Sequence, residues 1–213
     1  RTFYLIEFAG INPDTGAPQF YTNTKDANGN LVKDITEDPA KANNIAYKHA
    51  EPSLIGGLSN TLSYKWFDLN FMLTYQFGGY SYDGWAQKVE HGGKDLEANI
   101  PTYYLDNWKQ PGDVSQYEVF IEAPEVSMNK VSNTRRVHST DFIRLKNLTF
   151  GFTMPKEWTR PMGISQVRFY VAGNNLLTWA RHNYYDPESL AGGTASWGTP
   201  PLKTITFGLN VNF

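Results

Sequence analysis

Apolar and polar residues alternate along much of the chain, a pattern typical of β-strands with one apolar face. The alternation predicts six strands, at residues 2–9, 56–66, 67–78, 141–154, 166–179 and 203–213. In the last of these, apolar side chains occupy every second position from Ile205 to Phe213, with Thr, Gly and Asn between them. A strand of a soluble sandwich and a lipid-facing strand of a membrane barrel both show this pattern.

The lengths of the connections favour the barrel. Strands two and three meet at residues 66 and 67, and residues 155–165 form a medium connection, whereas residues 10–55, 79–140 and 180–202 form long ones. Bacterial barrels have short periplasmic turns and long extracellular loops, and they end in the periplasm. Counting the strands back from a periplasmic Phe213 places every long connection on the extracellular side of the membrane. We therefore predict an all-β fold in which three hairpins, with six antiparallel strands, belong to a transmembrane β-barrel.

Six strands are too few for a membrane barrel, because the smallest have about eight. The missing strands are expected in another polypeptide or in an upstream part of the same one. The chain begins at Arg1, with neither an initiator Met nor a signal peptide. We therefore expect it to be a fragment or a processed piece.

Composition agrees with this interpretation. Aromatic residues make up 15% of the chain, which suits the aromatic girdles of a barrel or a sugar-stacking surface. The net charge of -2 gives no electrostatic basis for binding nucleic acid. The mean hydropathy is -0.48 and no apolar run is long enough for a transmembrane helix, but barrel strands are half polar and escape both measures.

No enzyme chemistry is visible. The chain has no cysteine, its four histidines lack metal-ligand spacing, and nucleophile-elbow and phosphate-loop motifs are missing. The DANGN segment at residues 26–30 begins like a calcium loop, but Leu31 stands where such a loop needs glycine, so Asn28-Gly29 predicts a hairpin turn. We predict no catalytic residue, no metal and no cofactor.

Six segments carry a further signal through their order along the chain: FAGINPDTG, GGLSNTLSYKWFDLNFMLTYQFGGYSYD, DFIRLKNLTFGFTMPKEW, GISQVRFYVAGNNLLTW, YYDPE and TITFGLNVNF. Together they resemble the C-terminal part of SusC/RagA-type TonB-dependent outer-membrane transporters. The resemblance covers most of the 213 residues, so it is more specific than any single motif.

The resemblance implies a barrel of about 22 strands closed by a plug domain. It also implies a SusD-like surface lipoprotein as partner, energy from the TonB complex, and import of oligosaccharides or, in some branches, oligopeptides. The location would be the outer membrane of a Gram-negative, Bacteroidetes-like bacterium, in contact with membrane lipid and lipopolysaccharide. We expect the plug and its TonB box to lie upstream, outside this chain.

The long connections hold the candidates for substrate contact, because aromatic rings stack on sugars while neighbouring Asp and Asn form hydrogen bonds with hydroxyl groups. These candidates are Trp85, Tyr103, Tyr104, Trp108, His182, Tyr184, Tyr185, Asp186 and Trp197. The alternative is that these residues pack the loops together or against the partner.

Polar residues of the strands are predicted to face the lumen and the plug. They are Asp68, Asn70, Gln76, Arg168 and Asn174. The resemblance implies that the terminal aromatic residue, Phe213, is the barrel-assembly signal; alternatively, it completes the lipid-facing surface.

Two other functions remain open from the sequence. A secreted all-β carbohydrate-binding module would use the same aromatic residues, but it would bury Phe67, Leu69, Phe71 and Leu73 under a second sheet. A passive porin would have the same barrel without a plug.

Overall fold

The alternating segments form strands in a computed structural model of the chain, which describes residues 1–122, 131–183, 186–190, 193–195 and 199–213. Strands β1 to β15 are Thr2–Ile6, Phe8–Ile11, Pro18–Tyr21, Thr24–Lys25, Leu31–Val32, Ile35–Thr36, Asn44–His49, Leu54–Tyr64, Phe67–Phe77, Tyr80–Asp83, Val137–Ser139, Phe142–Thr153, Gln166–Ala180, Thr194–Ala195 and Thr204–Asn212.

Helices are few and short. The α-helices α1 and α2 are Gly84–Val89 and Lys156–Thr159. Short 3-10 helices are Pro39–Lys41, Thr102–Asp106, Thr134–Arg136, Arg160–Met162 and Pro187–Leu190. Within the described ranges, no helix is long and apolar enough to cross a membrane. The prediction of an all-β, antiparallel fold is confirmed.

The chain divides into two compact units. The loop unit comprises Arg1–Glu51, Tyr80–His138 and the described residues between Leu190 and Trp197. The sheet unit comprises Pro52–Gly79, Ser139–Ser189 and the described residues between Gly198 and Phe213.

The sheet unit contains one antiparallel sheet of five strands, in the order β15-β13-β12-β9-β8. Strands β8 and β9 pair along their whole length, from Leu54 opposite Phe77 to Tyr64 opposite Phe67. The turn between them has Lys65 in the left-handed region, at φ 53°. Such a residue lets a two-residue turn follow the right-handed twist of the strands.

A β-bulge interrupts strand β12, where the start of the strand lacks clean alternation. Leu145 pairs with Leu73 and Leu177, but the next paired residue is Asn147, opposite Met72 and Asn174. Against β9, Lys146 is an extra residue that shifts the alternation by one place, whereas against β13 it stands opposite two residues, Asn175 and Leu176. This bulge accounts for the irregular pattern at the start of the strand.

Apolar side chains cover one face of this sheet, and no described element buries them. Phe67 is 43% exposed, Phe207 is 78% exposed, and Leu69, Phe71 and Leu73 are half-buried. On the same face, the ring of Phe67 lies 5.7 Å from that of Phe150. A carbohydrate-binding sandwich would bury these residues under a second sheet, so the described part of the chain does not fit that alternative.

The first predicted strand, at residues 2–9, does not join this sheet. It is divided into β1 and β2 at Glu7, and β1 pairs with β7 while β2 pairs with β3. Both pairings contain irregularities, at Thr2/Tyr4 and at Phe8/Gly10. The side chains of Phe3 and Leu5 pack with Tyr82 in a small core of the loop unit. The sheet therefore has five of the six predicted strands.

The long connections are not irregular throughout, because the loop unit has short strands of its own. Two of its small sheets have the orders β2-β3-β6 and β4-β5. The β4-β5 hairpin contains the DANGN turn, in which the Asp26 carboxylate accepts hydrogen bonds from the backbone N–H groups of Asn28 (2.9 Å) and Asn30 (2.8 Å). These bonds lower the pKa of Asp26. The predicted hairpin turn is confirmed.

Candidate functional site

A bidentate ion pair lies on the polar face of the sheet, between two strands that are not neighbours. Arg168 on β13 donates from Nε to Asp68 Oδ1 (3.1 Å) and from a terminal nitrogen to Asp68 Oδ2 (2.6 Å). The pair crosses β12 above Gly151, where a Cβ atom would overlap both side chains. A side chain at position 151 would therefore force the ends of these two side chains to shift.

Polar side chains on neighbouring strands also bond to each other. Asn147 donates to Asn174 Oδ1 at 3.0 Å, and Asn174 donates to Thr204 Oγ1 at 3.1 Å. Asn70 accepts from Thr61 at 2.5 Å. The polar face is thus largely satisfied by its own hydrogen bonds.

The predicted lumen-facing residues all lie in this sheet, where the register assigns them to the polar face. Gln76 lies near the end of β9 that is opposite the Lys65–Trp66 turn, and it donates to Thr140 Oγ1 at 2.8 Å. Asp68 and Arg168 bind each other, so their charges are already matched. That this face is directed at a lumen and a plug stays a prediction.

A second charged cluster lies on the same face, around Arg144. This side chain is only 2% exposed; it donates to Asp186 Oδ2 (2.5 Å) and Glu188 Oε2 (2.7 Å), and its Nε donates to Thr178 Oγ1 (3.0 Å). Lys146 donates to the same Glu188 oxygen at 2.5 Å. We call these four charged residues, Arg144, Lys146, Asp186 and Glu188, the Arg144 cluster.

Sequence reasoning missed three members of this cluster and assigned the fourth differently. Arg144 and Lys146 lie where the alternation of β12 fails, so nothing marked them as facing the polar side. Asp186 was expected to contact substrate, but it binds Arg144. The signal that could have found the cluster is the presence of two cations in one strand and two carboxylates in the DPE segment.

The loop unit has its own buried polar cluster. Glu90 accepts from the Tyr103 hydroxyl (3.1 Å) and from Arg136 (3.2 Å), whose guanidinium is buried. Burial, and then the negative charge of Glu90, raise the pKa of Tyr103. Burial, and then Glu118, raise the pKa of Tyr104. Both phenols therefore stay neutral well above their usual range.

Two predicted substrate-contact residues are buried inside the loop unit. Tyr104 is 1% exposed, and its ring lies 5.2 Å from that of Tyr117. The indole N–H of Trp108 donates to the carbonyl of Pro13 at 2.8 Å, and the ring packs on Gly16. Neither ring has the exposed face that sugar stacking requires. They hold the connections together, as the alternative interpretation of these aromatic residues proposed.

The other candidates are described only in part. Trp85 and Tyr103 are half-buried in the loop unit, and His182 is half-buried in the sheet unit. Tyr184, Tyr185 and Trp197 lie outside the described residues. Phe213, after the last strand, is 92% exposed, and its role in assembly stays a prediction.

No protein-family model matches the chain. Curated relatives include two from Formosa agariphila. "TonB-dependent receptor P3" is 25% identical over 228 residues, covering 100% of this chain and 22% of the relative. "TonB-dependent receptor P39" is 26% identical over 201 residues, covering 89% of this chain and 18% of the relative. The chain thus spans about a fifth of the length of these relatives.

Solved structures of similar fold include that of the RagAB peptide transporter, with a TM-score of 0.81 and 27% identity over 100% of this chain and 23% of that one. The RagAB peptide importer in the "open-open" state matches with a TM-score of 0.77 and 25% identity, over 100% of this chain and 22% of that one. The likeness to part of a TonB-dependent transporter is therefore found in both sequence and fold.

Proposed function

We propose that this chain, which resembles the C-terminal part of SusC/RagA-type TonB-dependent transporters, forms part of an outer-membrane active importer. The observation that carries the proposal is the sheet of β8, β9, β12, β13 and β15. It has one exposed apolar face and one polar face on which several side chains bond to each other. A membrane barrel needs an apolar and a polar face, because lipid borders one side and the lumen the other.

The dimensions of the sheet support a place in a membrane. Strands β8 and β9 have 11 residues each, and a tilted strand needs about 9–11 residues to cross the hydrocarbon layer. At the end of the sheet with the short turns, the exposed rings of Trp66 and Trp158 lie 6.5 Å apart. Exposed Trp pairs of this kind suit the interface between lipid and water.

We place the Lys65–Trp66 turn and the connection containing α2 in the periplasm. The connections before β8, between β9 and β12, and between β13 and β15 then lie outside the cell. A SusD-like lipoprotein would meet the importer on that outer side. The plug and the contact with TonB would come from the remainder of the transporter, which this chain does not include.

For the substrate, we favour oligopeptides. The RagAB structures, which resemble this chain over its whole length, are of a peptide transporter. Oligosaccharides are the alternative. Comparing uptake of a fluorescent oligopeptide and a fluorescent oligosaccharide by cells with and without the intact transporter distinguishes the two.

The first test is to purify the chain from detergent-extracted native membranes and identify the proteins that accompany it. We expect outer-membrane material that contains a plug domain and a SusD-like lipoprotein. Recovery of a soluble, monomeric species would contradict the proposal. A passive porin predicts uptake that persists when the proton-motive force is collapsed, whereas an active importer predicts that uptake stops.

A further inference from the structure

The Arg144 cluster joins two segments that are far apart in the sequence. Arg144 and Asp186 are 42 residues apart, and the second of them lies in the connection between β13 and β15. Glu188 also approaches β9, where its Oε1 accepts from Thr74 Oγ1 at 3.4 Å. The Asp186–Glu188 segment is therefore bound to two adjacent strands, β9 and β12, on their polar face.

The bulge in β12 concentrates polar side chains at this point. Arg144 and Lys146 are two positions apart, so a regular strand would also place them on one face. Leu145 belongs to the apolar face and Asn147 to the polar face, so the extra residue brings Asn147 to the polar face as well. Two cations and an amide therefore lie within four positions beside the two carboxylates.

The backbone conformation of the Asp186–Glu188 segment places both of its carboxylates near these cations. The backbone N–H of Glu188 donates to Asp186 Oδ1 at 2.9 Å, at the start of the 3-10 helix Pro187–Leu190. This bond leaves Asp186 Oδ2 for Arg144. Proline at position 187 restricts the backbone between the two carboxylates, so both are held in one orientation.

The burial of Arg144 makes the contact costly to break. The carboxylate of Asp186 is nearly as buried as the guanidinium, with side-chain exposures of 8% and 2%. Removing one partner of a buried ion pair leaves the other charge without compensation. Both carboxylates come from the connection between β13 and β15, so the ion pairs of Arg144 fix that connection to strand β12.

We infer that Arg144 is a positioning residue for substrate uptake. It fixes the Asp186–Glu188 segment against the polar face as a constriction of the transport path, with Lys146 as the second cation. The inference rests on the proposed function, because only in a barrel does this face border a path. The constriction selects substrates by size, so its loss favours longer peptides over shorter ones.

Trypsin can report whether the segment is held. Arg181 precedes it, and no lysine or arginine occurs again until Lys203, so cleavage after Arg181 reports directly on this connection. In the full-length transporter, Arg144→Gln should increase cleavage after Arg181 by about 10-fold or more, since breaking a buried pair strongly favours local opening. Arg168→Gln is the matched control: it also removes a paired arginine from the polar face, but this arginine binds a strand residue, so cleavage should not change.

Uptake of a short and a long fluorescent oligopeptide of the same repeating sequence tests the role of the constriction. Arg144→Gln should raise the uptake ratio of long to short peptide at an unchanged level of assembled barrel. The double variant Arg144→Gln with Asp186→Asn should open the segment less than Arg144→Gln alone, because no buried carboxylate is left unpaired. A purely structural brace predicts equal loss of both peptides.

Unchanged cleavage after Arg181 in Arg144→Gln overturns the inference, and so does an unchanged uptake ratio. If the unmodified transporter imports neither peptide, the proposed peptide import is wrong. The cleavage experiment still decides whether Arg144 holds the segment, so the two failures are distinguishable.

Discussion

At the scale of single residues, glycine at position 151 leaves room for the ion pair on the polar face. A Cβ atom there would overlap the Asp68 carboxylate and the Arg168 guanidinium, which would have to shift. We expect Gly151→Ala to lower the free energy of unfolding by about 1 kcal/mol or less, because the displaced pair is partly exposed to solvent. Urea unfolding of the detergent-solubilised transporter measures this.

Gly57→Ala is the control for this change. Gly57 also lies in a strand of the sheet, but its added methyl group would meet mainly the carbonyl oxygen of Leu73, at 3.3 Å. We expect a smaller effect than at position 151. Equal effects at both positions would show that strand propensity, and not the ion pair, sets the requirement for glycine.

The buried tyrosines of the loop unit give it a sensitivity to high pH. The pKa of Tyr104 is raised by burial and by Glu118, so the folded state favours the neutral phenol. The unfolded chain loses this proton near pH 10. The contribution of Tyr104 is therefore complete below about pH 10 and is lost as the pH rises towards the higher folded pKa. We expect cooperative opening of the loop unit together with a rise in tyrosinate absorbance.

Tyr104→Phe tests the cause of that opening. The Tyr104 hydroxyl is buried, with no hydrogen-bond partner among the residues that the structure describes. Its removal should cost little at neutral pH and should shift the opening to higher pH, because one buried ionisable group is gone. Unchanged alkaline opening in this variant would assign the sensitivity to other groups.

At the scale of elements, the bulge in β12 adds one residue against β9. Deleting Lys146 would leave Leu145 next to Asn147, and these two residues already lie on opposite faces. Residues 142–145 would therefore keep their faces and their partners in β9, and Arg144 would stay on the polar side. We expect the deletion to permit barrel assembly, measured as the amount of folded protein in the outer membrane, and Lys146→Ala should assemble as well. Loss of assembly in the deletion but not in Lys146→Ala would show that the bulge itself is required.

Strand positions were predictable because alternation reports directly on a sheet with two different faces. Residues 67–78 show this, since β9 ends one residue earlier, at Phe77. Residues 2–9 show the limit: the same alternation arises when Phe3 and Leu5 enter a small local core. Pairing between distant residues could not be predicted, because Asp68 and Arg168 meet only through the order of the strands.

Aromatic residues in the long connections were the least predictable. Tyr104 and Trp108 are of the residue types expected on a sugar-binding surface, yet both are buried. Sequence alone cannot separate these uses, because a connection that folds on itself needs large apolar side chains as much as a binding site does. The Arg144 cluster could not be predicted for a different reason, since it depends on a bulge in β12 and on a segment that is distant in the sequence.

At the scale of the whole molecule, the proposal requires that lipid borders the apolar face and water the polar face. Asn70 and Phe71 are neighbours near the middle of β9 that point to opposite faces, and both are half-buried. In a membrane, Phe71→Arg should cost about 2–4 kcal/mol near the centre of the bilayer, whereas a lumen substitution such as Asn70→Arg should cost far less. Reversible unfolding of the full transporter in lipid vesicles compares the two. A soluble sandwich predicts a large loss at Phe71 in detergent-free buffer, where a membrane barrel would not remain in solution at all. Similar losses at both positions in vesicles would contradict the membrane orientation, because only the difference between the two faces distinguishes lipid from water.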